Sequence, residues 1–153
     1  MVSHWSSLYF SILFEPNPNS YKQLLKNKKN NEIIINSGLS NEKGTSLLNI
    51  CKNEGASSAF KPNYEFLKLF NDDQRFDIKS KENMNTDTLD SQLLKNKIKQ
   101  LDFMKIDVQG SELNVLKGST NSLKNIIGLE IECEISELYS NQPLLGNILE
   151  FLN

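Results

Sequence analysis

The residues of this sequence most able to do chemistry are two acids, Asp107 and Glu112, in the segment Asp102 to Gly118, DFMKIDVQGSELNVLKG. An apolar run carrying Phe103, Met104 and Ile106 ends on Asp107, passes through Gly110 and enters a stretch where Leu113 and Leu116 recur at helical spacing. That order predicts a strand, a tight turn and a helix that Gly118 ends, with Lys117 in its last turn. In open α/β sheets ligands sit just beyond the carboxyl ends of the strands, so both acids fall where a cofactor or substrate would be held.

Composition narrows the chemistry further. His4 is the only histidine and lies at the terminus, which argues against Ser/His/Asp or Cys/His nucleophilic sites and against a His-rich metal centre. Arg75 is the only arginine, so a multi-arginine phosphate clamp is also disfavoured. Carboxylates, hydroxyls and amides are left to act. Cys51 and Cys133 have the spacing of neither a zinc site nor a disulfide framework and read as reduced structural thiols. A net charge of -2 with both signs mixed gives no footprint for nucleic acid or an anionic membrane surface. No apolar run approaches the roughly 20 residues of a bilayer span, and no signal peptide is evident, so the expected location is cytoplasmic.

The 153 residues have room for one domain. Leu8 to Phe14, LYFSILF, predicts a buried strand closed by the turn at Glu15 to Pro18. Asn19 or Ser20 is the expected cap of a helix carrying Tyr21, Leu24 and Leu25, with Lys22, Lys26, Lys28 and Lys29 as its solvated face. Ile33 to Ile35 predict a second strand. From Gly44 to about Arg75 the signals weaken: TSLLNIC reads as a strand, NEGASSAF as a loop, and YEFLKLF as a helix or an edge strand, so the whole reads as an insertion. Thr88 to Asp90 open a short helix. In GLEIECEIS, Leu129, Ile131, Cys133 and Ile135 alternate with Glu130, Glu132 and Glu134, the period of a strand, and PLLGNILEFLN has helical spacing. Strands alternating with helices predict a mostly parallel sheet covered on both faces.

FEPNPNSYKQL, NEGASS, TLD, KIDVQGSELNVLKG and EIECEISELYSNQPLL, in that order, resemble the FkbM family of methyltransferases over most of the chain. The resemblance implies a Rossmann-like class I methyltransferase fold, α/β with helices flanking the sheet. It also implies S-adenosylmethionine as cofactor and a hydroxyl on a sugar or other small metabolite as acceptor. In such folds an acid at the tip of the second strand accepts hydrogen bonds from the ribose hydroxyls, and Glu15 stands there; it also reads as an acid that merely ends a strand. Ser37, Gly38 and Leu39, after the next strand, are placed to line the adenine or to form an ordinary turn.

Methyl transfer to oxygen is an in-line displacement, so catalysis consists of alignment and removal of the hydroxyl proton. Asp107 is the first candidate base and Glu112 the second, with Glu132 a third if its strand end turns toward the same cleft. An ordinary Asp is too acidic for this, so burial or a neighbouring acid must raise it. Clustered acids would alternatively bind a divalent cation. Glu112 also suits a helix start for dipole reasons alone, and Glu130, Glu132 and Glu134 also suit a solvated strand face.

The seven glycines include no G-x-G pair, whereas a complete enzyme of this family opens with a strand and a glycine-rich loop. The expectation is therefore a single partial domain over residues 1–153, lacking the first strand and the C-terminal hairpin. Three outcomes follow for the gap: the strand ending at Phe14 pairs with the one ending at Ile106, residues 1 to 7 substitute, or the chain is a fragment. A competing reading is an inactive remnant or partner-binding module that self-associates through exposed sheet edges.

Overall fold

In the computed structural model, which describes residues 9–153, the first apolar run forms β1 (Ser11–Phe14), followed by α1 (Pro18–Lys26) and β2 (Glu32–Ile35). The two strands pair in parallel, Ser11 opposite Glu32 through Phe14 opposite Ile35, as a strand–helix–strand crossover requires. Asn17, rather than Asn19 or Ser20, caps α1: its side chain accepts from the Asn19 N–H at 3.0 Å. Pro18 then takes the first helical position, where no backbone donor is needed. The helix stops at Lys26, so Lys28 and Lys29 lie outside the face expected to carry them.

A second sheet takes the strand order β3 (Gly38–Leu39), β5 (Ile78–Asp87), β4 (Gly44–Cys51). β3 runs parallel to β5, and β4 runs antiparallel to it from Gly44 opposite Thr86 to Cys51 opposite Ile78. Nothing in IKSKENMNTD announces β5, because most of its side chains are exposed and only Thr86 and Asp87 are buried. Its backbone is ordered by the ladder that β4 offers, not by a hydrophobic face. Between these strands, the short helix α2 (Tyr64–Leu67) resolves the ambiguity of YEFLKLF, and two 3₁₀ turns cover Glu54–Ala56 and Asp73–Phe76. Cys51, Ala56, Leu67, Phe76 and Tyr139 close into a small core of their own.

The chain continues through α3 (Leu89–Lys95), β6 (Phe103–Ile106), α4 (Glu112–Lys117), β7 (Gly128–Ile131) and α5 (Leu145–Leu152). β6 and β7 pair in parallel, Phe103 opposite Gly128 and Ile106 opposite Ile131. The alternation of GLEIECEIS outruns the strand: β7 ends at Ile131, Cys133 still packs against the core, and Ile135 is 80% exposed. The main core joins Leu89, Leu93, Met104, Ile106, Val115, Leu116 and Ile148, with Ile12 and Phe14 of β1 packed against it.

The mostly parallel sheet expected from the sequence is instead three pieces, whose longest pairing is the antiparallel β4–β5. β1 pairs only with β2 and β6 only with β7 among the described residues, so direct pairing of β1 with β6 does not occur. Side-chain packing, not a shared ladder, brings them to one core. The substitute strand expected at residues 1 to 7 lies outside the described residues. Among the described residues no helix is long and apolar enough to cross a membrane.

The TLD segment organises this core from its rim. Thr88 caps α3 by accepting from the Ser91 N–H at 3.1 Å, and Asp90 accepts from the N–H groups of Asn121 and Ser122, both at 2.9 Å. Gly118 is required by close approach: a Cβ there would stand 2.0 Å from the Ser40 carbonyl oxygen. Just before, buried Asp87 accepts from the Thr88 N–H at 2.9 Å and from Gln92 at 2.8 Å, and pairs with Lys95. Burial alone would raise the Asp87 carboxyl, but Lys95, Thr88 and Ser91 outweigh it and hold it below the ordinary carboxylate value. A lowered acid binds fewer protons folded than unfolded, so its contribution is fully present above about pH 4 and lost as pH falls through the folded value. Asp87→Ala is expected to cost about 1.5–3 kcal/mol at pH 7 in urea unfolding, and to flatten the acid limb of stability against pH.

Candidate active site

Strand alternation sets the first half of the site. On one face of the β6–β7 pair, Lys105 lies opposite Glu130 and the two form an exposed ion pair. Two residues on, past the strand ends, the same face presents Asp107 and Glu132, and the Glu132 N–H still donates to the Ile106 carbonyl at 3.0 Å. Two ionised carboxylates held this way repel, and a shared proton relieves the repulsion. The hydrogen bond that protonated Glu132 can donate to Asp107, then burial, then the charges of Asp107, Glu134 and Glu112 push Glu132 up to about 6. Both side chains reach solvent. Glu132 thus joins Asp107 as expected of a strand end turned toward the same place.

The turn after β6 is held from inside. Glu112, at the start of α4, is 5% exposed, and its Oε1 accepts from the N–H groups of Val108 at 3.2 Å and Gly110 at 3.0 Å. Burial raises its carboxyl, the backbone amides oppose that, and the Asp107 charge adds to the rise. The turn needs this clamp because Gln109 (φ 53°) and Gly110 (φ 101°) both adopt left-handed backbone. Gly110 also has no room for a side chain: a Cβ would stand 3.2 Å from that of Gln142 and 3.5 Å from the rings of Phe60 and Tyr139.

Gln109 connects the turn to the rest of the molecule. Its Nε2 donates to Asp107 Oδ1 at 2.8 Å, its Oε1 lies 2.9 Å from the Tyr139 hydroxyl, and its carbonyl accepts from Ser58 Oγ at 2.6 Å. The Tyr139 hydroxyl also lies 2.8 Å from the Ala56 carbonyl. Ala56 and Ser58 belong to the NEGASS loop, residues 53 to 58. At the loop's other end Glu54 accepts from Ser20 Oγ of α1 at 3.2 Å, and its charge reaches Glu15 just after β1. The loop therefore ties the carboxyl ends of β1 and β6 to one edge of the fold. Glu15 is half-buried and accepts from the Asn17 N–H at 2.8 Å; burial raises its carboxyl, Asn17 opposes, and Glu54 adds to the rise.

Ser37, Gly38 and Leu39 lie at the start of β3, next to Asn36, whose side chain donates to the Glu15 carbonyl at 2.8 Å. The Ser37 hydroxyl donates to the Asn85 carbonyl at 3.1 Å, Gly38 abuts the Met84 sulfur, and Leu39 packs against the main core. Gln109 and Ser58 carried no signal of their own in the sequence, and Tyr139 stood out only as part of the segment EIECEISELYSNQPLL that resembles the family. Gln142, beside them, accepts from the Tyr139 N–H at 2.6 Å, while its Nε2 is buried with no partner among the described residues. Among those residues no three or more His, Cys, Asp or Glu side chains are grouped to hold a metal ion.

Residues 2–153 match the family model of the Methyltransferase FkbM domain, and the chain belongs to that family. No curated protein and no solved structure matches the chain. Membership supports methyl transfer as the activity class.

The clamp at Glu112 is directly testable. Glu112→Leu would strand two buried or half-buried N–H groups and is expected to cost about 2–5 kcal/mol in urea unfolding. Glu112→Gln keeps an acceptor oxygen and is expected to cost less than about 1 kcal/mol. Equal losses in the two variants would show that the side chain packs without holding the turn.

Proposed function

We propose that this chain is an S-adenosylmethionine-dependent O-methyltransferase whose acceptor is a hydroxyl of a sugar or other small metabolite. The observation that carries this reading is the Asp107–Glu132 pair: two solvent-reaching carboxylates at adjoining parallel strand ends, with Glu132 raised to about 6. A lone carboxylate is too acidic to take a hydroxyl proton well; a pair that resists double ionisation is a better base. Asp107 and Glu15 share one edge, as a base and a cofactor-holding acid must. The parallel pairs β1–β2 and β6–β7 and their helices are read as parts of one Rossmann-like class I sheet.

The donor group fits the ribose end of this edge. Glu15 Oε1 is committed to Asn17, and its Oε2 has no partner among the described residues, leaving an acceptor for a ribose hydroxyl. At the adenine end the Ser37 hydroxyl is already spent, so Gly38 and Leu39 would offer only backbone and apolar surface. No described segment has the glycine-rich pattern that would hold the methionine end. When bound, the cofactor supplies an electrophilic methyl on a sulfonium. The chain's own part is then to hold the ribose at Glu15 and to accept the hydroxyl proton at Asp107 as the new O–C bond forms.

A second reading rests on a separate observation: β1 and β6 each lack a ladder partner on one edge among the described residues. Such edges take up a strand from another chain, giving a self-associating or partner-binding module. Size-exclusion chromatography across concentration addresses it directly, since a clean monomer throughout would remove self-association.

For the enzyme reading, titration with S-adenosylmethionine and transfer of labelled methyl to a panel of sugar and small-metabolite hydroxyls are the tests. Glu15→Gln is expected to weaken cofactor binding by about tenfold or more, and Asp107→Asn to lower kcat by about 10²–10⁴-fold with binding retained. Protonation of Glu132 in the step near pH 6 withdraws the neighbouring charge that makes Asp107 a better base, so kcat/KM should fall as pH drops through about 6. Glu132→Gln removes the titrating group and should abolish that inflection. Absence of binding heat together with absence of methyl transfer to every acceptor would overturn the proposal.

A further inference from the structure

We infer that Gln109 is the positioning residue of the carboxylate pair: its amide, set between Tyr139 and Asp107, keeps Asp107 the charged member and sends the shared proton to Glu132. The inference deepens the reading of Asp107 as the base and rests on it for its catalytic meaning. Its physical content stands on the hydrogen-bond inventory around the turn.

A glutamine amide has a donor end and an acceptor end, so its orientation decides what it does to a neighbouring acid. Here the donor end faces Asp107 at 2.8 Å. Turned over, the amide would put its carbonyl oxygen against the carboxylate, and two acceptors at that distance repel unless Asp107 is itself protonated. Burial pushes the Tyr139 phenol upward, so it remains a neutral hydroxyl, its proton shared between the Ala56 carbonyl and Gln109 Oε1. Tyr139 is 1% exposed and cannot swing away.

The backbone is held as firmly as the side chain. Left-handed φ costs a residue with a Cβ roughly 1–2 kcal/mol, yet Gln109 occupies it, with its carbonyl fixed by Ser58 Oγ at 2.6 Å. A strained residue persists where its surroundings over-determine it, and here they aim its amide at Asp107.

The two acids are therefore unequal. A hydrogen bond donated to a carboxylate favours its ionised form. Asp107 receives one from Gln109, whereas Glu132 receives no side-chain donor among the described residues. The surrounding charges push the same way: Glu134 and Glu112 act on Glu132, and Lys105, which feels both acids, is bonded to Glu130. Asp107 is then poised to receive the acceptor's proton, and Glu132 to hold the one the pair shares.

Carboxyl ¹³C NMR titration of the chain without cofactor tests this, with Asp107→Asn and Glu132→Gln used to assign the two resonances. In the unaltered chain Glu132 should carry most of the chemical-shift change in the step near pH 6. Gln109→Met removes the donor, and Gln109→Asn keeps a residue that tolerates left-handed backbone while falling short of Asp107. In either variant that folds, judged by its backbone amide spectrum, Asp107 should take at least half of the change in that step. Tyr139→Phe should shift the division in the same direction by less. An unaltered division in both Gln109 variants, or Asp107 carrying the step before any substitution, would overturn the inference. Failure of methyl transfer would remove the enzyme reading and leave this titration result standing.

Discussion

One carboxylate oxygen, Glu112 Oε1, accepts two N–H groups of the turn between β6 and α4, and the candidate site depends on that turn. The clamp, with the Ser58 bond to the Gln109 carbonyl, holds Gln109 and Gly110 in left-handed backbone, and that backbone aims the Gln109 side chain back at Asp107. The same bend presses Gly110 against Phe60, Tyr139 and Gln142, which belong to the second, smaller core and its rim. A buried acid with a local structural task thus joins the main core, where α4 packs, to the insertion where Tyr139 packs. Burial is unfavourable to the charged form of Glu112, and the amide bonds return part of that cost.

The acids of this chain show how environment, not residue type, assigns a role. Asp87 and Asp90 are ringed by donors and held below the ordinary carboxylate value, which suits caps and struts and makes them poor bases. Glu112 is buried and raised, but both its reach and its lone pairs are committed to the turn. Of these five, Asp107 and Glu132 combine access to solvent with a neighbour that resists a second negative charge. Four of these five acids lie in segments that resemble family motifs, so motif membership alone does not separate catalysis from architecture.

Legibility followed the physics of each element. The strand, turn and helix of Asp102 to Gly118 could be read because strand burial, a glycine turn and helical spacing all agree over a few residues, and α3 because Thr88 is a strong cap. β5 could not be read, because its ordering force is the β4 ladder and its side chains are mostly exposed. β7 was read too long: strict alternation persists to Ile135, but pairing with β6 runs out at Ile131. Glu132 as a partner of Asp107 was foreseen only conditionally, since cross-strand register is a property of two segments. Gln109 and Ser58 were missed because their roles arise from contacts across 30 to 51 positions of chain.

The sheet pieces raise the question of what makes Glu15 and Asp107 parts of one site. β1 and β6 share no ladder, so their relative placement rests on Ile12 and Phe14 packing into the main core and on the NEGASS loop across their ends. Side-chain packing fixes separation well and sliding along the strand axis less well, because apolar contacts are non-directional. Directional bonds must therefore set the axial register, and the loop supplies them at both ends: Glu54 to Ser20, and Ser58 and Ala56 to Gln109 and Tyr139. A segment that reads as a plain loop is thus the element through which Glu15 and Asp107 are held in register.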